Sequence, residues 1–285
     1  MAYPGSGGFA VTVRRGEHGC CHFQDADDRE RLVVSFIHEA VRRADKVVYL
    51  MDGDEPAALV SRLERLDPTL GPASARGQFV ARGDVYMPDG EFDPDRIVAM
   101  LHEEHDRARA EGYAGLSVTG EMPVAVCDSP AGGKQLGAYE ARLESDADRG
   151  CYSFLCQYDH ARFTAGCLSG VVAAHAIDAS PELAPIGRDG VLAAARDRGE
   201  NTLRLAGELD FASAQTVSDV LDAHFGDQLR LDLADLTYID VAGMRALRGR
   251  NGQRVTISRV SEPVGRLLTL LGWDTDPAVE SLETG

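Results

Sequence analysis

Apolar and polar positions along the first two thirds of the chain alternate between strand and helix patterns. Lys46 to Met51 is a nearly continuous apolar run, which is typical of a strand buried on both faces of a parallel sheet. Residues 29–43 instead place Leu32, Phe36 and Ala40 at helical spacing on one face. Further strands are predicted at residues 18–23, 78–81, 116–122 and 151–158. Strands that alternate with helices predict an α/β fold with a mostly parallel sheet and helices on both of its sides.

The last third of the chain repeats this alternation on a smaller scale. Strands are predicted from Thr202, at residues 229–233 and at residues 254–258, with helices at residues 213–225 and 261–271. Asp235 is expected in a turn, and Asp240 stands where a helix N-cap belongs. A strand that leads through a loop into a helix N-terminus gives a surface where backbone N–H groups point outward. The same pattern also occurs at an ordinary strand–helix connection.

The length of 285 residues predicts two domains, and a change in composition separates them. Prolines and glycines are frequent between Pro181 and Gly190, where hydrophobic periodicity is weak. We therefore expect a first domain at residues 9–180, a linker at residues 181–198 and a second domain at residues 199–285.

The composition excludes several classes of function. A formal net charge of −17 and a pI near 4.8 argue against a nucleic-acid surface, because phosphate contacts need clustered lysine and arginine. No run of about 18 apolar residues occurs, and the amino terminus lacks the basic and apolar segments of a signal peptide. We therefore expect a cytoplasmic protein that does not act at a membrane. Six cysteines in a chain of this length make no disulfide framework, so reduced thiols are expected.

The sequence departs from the pattern of a phosphate-binding loop. Such a loop needs Gly-x4-Gly-Lys followed by Ser or Thr after a strand. The nearest match, from Ala131 to Gln135, lacks both the first glycine and the hydroxyl residue. The first strand–helix connection instead carries Asp25, Asp27 and Asp28, whose carboxylates repel phosphate. Neither ATP hydrolysis nor a cofactor is expected.

Histidines and cysteines near the first strand could form a metal site. His18, Cys20 and His22 share one face of a strand, where their side chains could converge. A second Cys/His pair at ligand spacing is missing, so no metal is predicted. An enzyme would need a nucleophile–base pair, for which the chain offers Cys156 with His18 or His160. A thiol- or metal-dependent enzyme therefore stays as an alternative, and no catalytic residue is assigned.

Five side chains are candidates for a ligand pocket in the first domain. Glu121 and Cys156 lie at or near the predicted carboxyl ends of parallel strands, and ligands of open α/β sheets bind at that edge. His18, Tyr49 and Tyr158 complete the set. Each of the five could instead pack in the core.

Several short strings in the first domain occur in the order found in a known family. They are His18-x-Cys20-x-x-Phe23, Val47-Val48-Tyr49, Gly90-x-Phe92-Asp93-Pro94-Asp95-Arg96, Gly115-Leu116-x-Val118-Thr119-Gly120-Glu121-Met122, Tyr139-Glu140-Ala141-Arg142-Leu143 and Leu155-Cys156-Gln157-Tyr158-Asp159. In that order they resemble the MEDS sensory domain over residues 16–176. The resemblance implies a RecA/KaiC-like three-layer α/β fold without an ATPase site, and a role in sensing small organic ligands.

Two motifs in the second domain resemble the STAS domain of anti-sigma factor antagonists. They are Gly207-Glu208-Leu209-Asp210 and Asp232-Leu233-x-x-Leu236-x-Tyr238-Ile239-Asp240-x-x-Gly243. The resemblance covers residues 199–280 and implies a partner-binding surface. Its residues here are Asp210, Asp240, Val241, Ala242, Gly243 and Met244. In phosphorylated members a serine directly follows the second motif aspartate, whereas Val241 stands there in this chain and cannot accept a phosphate.

These observations predict a cytoplasmic two-domain regulator. An α/β sensory domain would be joined to a STAS module that binds an anti-sigma factor of the serine-kinase type, or a related regulator, without phosphorylation at residue 241. A STAS scaffold that mediates assembly without switching is a further alternative.

Overall fold

The structure, a computed structural model, divides the chain into two compact units, Val13–Asp178 and the part from Ala179 onward. It describes residues 13–23, 26–52, 55–83, 85–128, 130–164, 174–179, 191–225, 228–248, 254–275 and 279–284, with residues 167, 170, 171, 183 and 186. Residues 9–12 of the predicted first domain and Asp25 of the first strand–helix connection lie outside this set.

The first unit alternates strands and helices along the chain. Its strands are β1 (His18–Phe23), β2 (Lys46–Leu50), β3 (Phe79–Arg82), β4 (Leu116–Glu121), β5 (Ser153–Asp159) and β6 (Ile177–Ala179). Its helices are α1 (Ala26–Arg42), α2 (Pro56–Leu66), α3 (Gly71–Ala75), α4 (Pro94–Ala110) and α5 (Pro130–Asp148). The order along the chain agrees with the pattern of apolar positions.

Parallel pairing joins the strands of the first unit in the order β1-β5-β4-β2-β3, and β6 lies beside β1. All residues of β2 are buried, as are nearly all residues of β1, β4 and β5. Strands that are buried throughout need cover on both faces of their sheet. The predicted α/β class, with a mostly parallel sheet and helices on both sides, is therefore confirmed.

Local sequence signals set the start of α4. The Asp93 side chain accepts a hydrogen bond from Arg96 N at 3.1 Å, and Pro94 occupies the first helical position. Ile97, Leu101 and Ala108 then face the core. Capping and amphipathic spacing together explain why this segment is helical.

The second unit is a smaller α/β sheet with its own core. Its strands are β7 (Leu192–Asp197), β8 (Thr202–Leu209), β9 (Gln228–Ile239), β10 (Arg254–Val260) and β11 (Val279–Thr284). They lie in the order β11-β10-β9-β8-β7, with β7 antiparallel to β8 and the other pairs parallel. Its helices are α6 (Phe211–His224), α7 (Val241–Leu247) and α8 (Glu262–Leu270). Of the helices described here, none combines the length and the apolarity needed to cross a membrane.

Two expectations for this unit were wrong. The stretch predicted as a linker, residues 181–198, ends in strand β7, where three consecutive alanines, Ala193 to Ala195, carry little strand signal. Asp235 lies within β9 and not in a turn. The register shifts twice between β8 and β9, and such bulges break the alternation by which a strand is recognised.

A disulfide bond joins Cys127 and Cys167, which contradicts the expectation that all six cysteines are reduced. Their Cα atoms lie 6.3 Å apart, within the span of a disulfide, although the sequence separation is 40 residues. Spacing along the sequence cannot reveal such a pair, because only the fold brings its members together. Cys20, Cys21, Cys151 and Cys156 are not disulfide-bonded.

Candidate functional site

Three of the predicted pocket residues lie on one face of the first sheet. Residues paired across parallel strands share a face. The register pairs Cys20 with Cys156 and His22 with Tyr158, so these side chains lie on the same face as His18. Cys156 and Tyr158 belong to a core cluster with Leu136, Tyr139 and Leu143 of α5. Helix α5 therefore packs on this face.

The carboxylate of Glu140, on α5, is the centre around which these residues gather. Its Oε2 lies 3.1 Å from His18 Nε2, 3.1 Å from His175 Nε2 and 3.4 Å from Cys156 Sγ. The hydroxyl of Tyr158 donates to its other oxygen. All five side chains are buried. We call His18, Glu140, Cys156 and His175 the Glu140 cluster.

Electrostatics favour an ionised carboxylate in this cluster. Burial alone would raise the pKa of Glu140, but the charges and hydrogen bonds of His175 and His18 outweigh it and lower that pKa. Burial likewise opposes the protonation of His18, yet Glu140 and Glu144 raise its pKa above the usual value. His18 Nδ1 lies 3.0 Å from Glu144 Oε2. Both ring nitrogens of His18 thus face carboxylates.

The remaining two candidates, Tyr49 and Glu121, form a separate pair. The Tyr49 hydroxyl donates to Glu121 Oε1 at 2.7 Å and lies 3.2 Å from Gln157 Oε1. The guanidinium of Arg29 lies 3.2 Å from the same Glu121 oxygen, and Asp52 N donates to the other at 3.4 Å. Burial raises the pKa of Tyr49 well above its usual value, so the hydroxyl keeps its proton.

The five predicted pocket residues therefore do not line one pocket. Glu121 is paired with Gln157, the residue next to Cys156 on β5, and adjacent residues of a strand point to opposite faces. Tyr49 and Glu121 thus lie on one side of the sheet, while His18, Cys156 and Tyr158 lie on the other. Glu121 does end its strand, but Cys156 is in the middle of β5 and buried. Of Glu121 and Cys156, only Glu121 lies at the carboxyl end of its strand, as was expected for both.

Sequence reasoning missed Glu140 and His175 as site residues. Glu140 had a signal, because it falls on the same face of α5 as Leu136 and Leu143, at helical spacing. A carboxylate on an otherwise apolar stripe indicates a buried partner. His175 lies just before β6 and had no comparable signal, because no periodic pattern surrounds it.

The predicted trio of His18, Cys20 and His22 is divided between two groups. Cys20 and His22 approach Asp178, with Cys20 Sγ 3.4 Å from His22 Nε2 and His22 Nδ1 3.7 Å from Asp178 Oδ1. A third group of possible metal ligands comprises His102, Asp146 and Cys151. His102 and Asp146 also line a cleft of about 220 Å³.

The nearest match to a phosphate loop, residues 131–135, falls in the first turns of helix α5. These residues are helical and do not form the glycine-rich loop that the phosphate-binding motif requires.

In the second unit, Asp240 caps two helices at once. Its Oδ1 accepts from Gly243 N at 2.8 Å and caps α7, and its Oδ2 accepts from Phe211 N at 2.9 Å at the start of α6. Asp210 caps α6 as well, accepting from Ala212 N at 3.0 Å and from Ser213 N at 3.2 Å. The two motif aspartates thus hold two helix N-termini side by side.

Gly243 allows α7 to approach β8. A Cβ atom at this position would lie 2.4 Å from Leu209 O, far inside van der Waals contact. The motif glycine is therefore required by close packing of the helix on the end of the strand.

The predicted partner-binding residues differ in accessibility. Val241 is 53% exposed, whereas Gly243 is buried and Met244, at 4% exposure, lies in the core. Asp210, Asp240 and Ala242 are half-buried. Phe211 and Tyr238, which were not predicted, are 81% and 49% exposed. We call Phe211, Tyr238 and Val241 the apolar edge; they lie where β8 and β9 end.

Comparisons with known proteins match both units. The model of the MEDS family, described as "MEthanogen/methylotroph, DcmR Sensory domain", matches residues 17–176, and a model described as "Mlab, STAS domain" matches residues 192–282. A comparison with curated proteins gave no match.

Solved structures also match part of the chain. The flagellar accessory protein FlaH from Methanocaldococcus jannaschii is 11% identical, with a TM-score of 0.41, covering 59% of this chain and 72% of that one. A KaiC-like protein from Pyrococcus horikoshii OT3 is 10% identical, with a TM-score of 0.45, covering 61% of this chain and 79% of that one.

The predicted order of the two domains is confirmed, and their combination is that of a signalling regulator. The chain belongs to the MEDS family of sensory domains, and here that domain is followed by a STAS domain.

Proposed function

We propose that this chain transmits the state of its sensory domain to a protein partner that binds its STAS domain. The observation that carries the proposal is the exposed apolar edge of Phe211, Tyr238 and Val241. Exposed aromatic and aliphatic side chains on a fixed backbone are the kind of surface that a protein partner covers. The double cap by Asp240 supplies the fixed backbone.

The proposed partner is an anti-sigma factor of the serine-kinase type, or a related regulator. Its support is the resemblance of the two motifs to those of anti-sigma factor antagonists, together with the exposure of residue 241. A valine there offers the partner an uncharged contact that no kinase can modify. The neighbouring Thr237 hydroxyl donates to Gly207 O at 2.9 Å and is thus already engaged.

The proposed control comes from the sensory domain, through a small organic ligand, in the cytoplasm. No catalytic role is proposed for this domain. Cys156 lies 3.3 Å from His18, as a thiol–imidazole pair would, but a catalytic thiol must reach its substrate and Cys156 is 0% exposed.

Two matched charge substitutions in the full chain test the partner-binding surface. Val241→Asp puts a carboxylate into the apolar edge, and Leu270→Asp puts one on α8, where Leu270 is 83% exposed. Each tagged protein is purified from the native host, and captured proteins are quantified by mass spectrometry. Val241→Asp should lower capture of a kinase-type anti-sigma factor at least about tenfold, or about 1.4 kcal/mol, while Leu270→Asp leaves it unchanged.

Equal capture by the two variants contradicts the assignment of the surface. Capture that contains no anti-sigma factor or related regulator in any sample contradicts the assignment of the partner.

A further inference from the structure

We infer that the Glu140 cluster, His18, Glu140, Cys156 and His175, is a binding site for a transition-metal ion, and that Zn²⁺ fits it best. The four ligand atoms lie within 4.8 Å of one another, and all four side chains are buried. Imidazole nitrogen, thiolate sulfur and carboxylate oxygen are the usual ligands of Zn²⁺. The inference does not depend on the partner binding proposed above.

The spacing of the donor atoms agrees with tetrahedral coordination. Metal–ligand bonds of about 2.0–2.3 Å place tetrahedral ligand atoms about 3.3–3.6 Å from one another. His18 Nε2 lies 3.1 Å from Glu140 Oε2 and 3.3 Å from Cys156 Sγ. Glu140 Oε2 lies 3.4 Å from Cys156 Sγ and 3.1 Å from His175 Nε2. These four separations are close to the tetrahedral values, and the remaining two, from His175 to His18 and to Cys156, are within 4.8 Å.

His175 turns its Nε2 toward the other ligands of the cluster. Its Nδ1 lies 2.7 Å from Val171 O, and because a carbonyl only accepts, Nδ1 carries a hydrogen. Nε2 is therefore the ring atom available to a metal ion, and it lies 3.1 Å from Glu140 Oε2.

The charges of the donor set also suit a divalent ion. One thiolate and one carboxylate together balance the charge of Zn²⁺, and buried charged groups are generally paired or bound to a metal.

Hydrogen bonds around the cluster resemble the outer shell of a metal site. Metal-binding histidines donate their other ring N–H to a carboxylate or a backbone carbonyl, and ligating carboxylates accept further hydrogen bonds. His18 faces Glu144, His175 faces Val171 O, and Glu140 accepts from Tyr158. Each of these contacts holds a side chain of the cluster in the orientation that turns its ligand atom toward the other three.

The group of Cys20, His22 and Asp178 is a weaker candidate, and it supplies the control. His22 turns Nε2 toward Cys20 and Nδ1 toward Asp178, so one ring would have to serve two partners from opposite sides. Cys20 is buried and paired in register with Cys156, which makes Cys20→Ser a matched substitution on the same face.

The test uses the full chain without a histidine tag, refolded with Zn²⁺ or with Co²⁺ and then desalted. Metal content is measured by mass spectrometry and Co²⁺ coordination by absorption. Wild type should retain about one ion per chain, with the strong visible bands of tetrahedral Co²⁺ and a thiolate-to-cobalt charge-transfer band. Cys156→Ser should remove that band, His175→Gln should lower metal affinity at least about tenfold, and Cys20→Ser should change neither.

A wild-type chain that retains no ion, or a Co²⁺ form without the charge-transfer band, overturns the assignment even if the variants fail to fold. Retention that is equal in wild type, Cys156→Ser and His175→Gln also overturns it. Loss of metal in Cys20→Ser but not in Cys156→Ser would assign the ion to the other group. Tyr158→Phe, which leaves all four ligands in place, should weaken binding about 10–100-fold if its hydroxyl orients Glu140.

Discussion

The carboxylate of Asp240 accepts a hydrogen bond from the backbone N–H of Phe211 at 2.9 Å, 29 residues away in the sequence. Its second oxygen accepts from Gly243 N, so one side chain joins the first turns of α6 and α7. The motif aspartate that a family resemblance marks as part of a partner-binding surface is thus also what builds that surface.

Asp240→Ala should lower the free energy of unfolding of the second unit by about 2 kcal/mol, because two helices lose an N-terminal acceptor and one such cap contributes about 1 kcal/mol. Urea unfolding followed by Trp273 fluorescence measures this, since Trp273 is the sole tryptophan of the chain and lies in the core of that unit. Asp219→Ala, a change on the exposed side of α6, should stay within about 0.5 kcal/mol. Equal midpoints for the two variants would show that the double cap contributes nothing.

Gly243→Ala should destabilise the second unit by about 1–3 kcal/mol, because the added Cβ would lie 2.4 Å from Leu209 O. Gly199→Ala is the matched control, since the nearest atom to its Cβ is 3.5 Å away. The same Trp273 assay compares the two. A Gly243→Ala protein as stable as Gly199→Ala would mean that α7 can move away from β8 at no cost.

Wild-type protein incubated with a kinase-type anti-sigma factor and ATP should acquire no phosphate at residues 237–245, because Val241 has no hydroxyl and Thr237 is engaged with Gly207 O. Val241→Ser, by contrast, should become phosphorylated, since the position is exposed at the start of α7. Peptide mapping by mass spectrometry distinguishes the two. Stoichiometric phosphate within this range of the wild-type chain would refute the prediction.

Cys151 should react with iodoacetamide in the native protein well before the buried thiols of Cys20, Cys21 and Cys156. Burial raises the pKa of Cys21 to about 12, so at pH 9 only about one Cys21 in a thousand is a thiolate. Raising the pH from 7 to 9 should therefore not bring Cys21 into the labelled set. Peptide mapping of native and urea-unfolded protein provides the comparison, and native labelling of Cys21 at pH 9 would contradict the burial argument.

Mg-ATP should not bind with micromolar affinity, because residues 131–135, the nearest match to a phosphate loop, lack its first glycine and its hydroxyl residue. Isothermal titration calorimetry of the full chain measures this directly. A saturable micromolar isotherm would show that nucleotide is held by some other part of the chain.

How much of the fold the sequence predicts depends on how regular each segment is. The continuous apolar run at Lys46–Leu50 and the capped helix after Asp93 follow from local pattern and were predicted with the right type. β9 was only partly predicted, because bulges opposite β8 displaced Asp235 from the alternation. β7 was not predicted, because its three consecutive alanines carry little strand signal.

The candidate site was less predictable than the fold, because its parts come from distant segments. His18 and Cys156 could be named from residue type, but only the register of β1 and β5 shows that they meet. Glu140 belongs to one of the family strings, yet its two histidine partners are 122 residues before it and 35 after it, which is beyond any local spacing rule. The disulfide between Cys127 and Cys167 escaped prediction for the same reason.

Cys156 and Gln157 are neighbours on β5, and they serve clusters on opposite sides of the sheet. A sheet of buried strands separates these clusters, so neither solvent nor a ligand on one side reaches the other directly. The backbone of β5 is nevertheless common to both, because consecutive side chains share one peptide unit. A displacement of β5 along its own axis by less than one residue would therefore change the contact of Gln157 with Tyr49 and the contact of Cys156 with Glu140 at the same time.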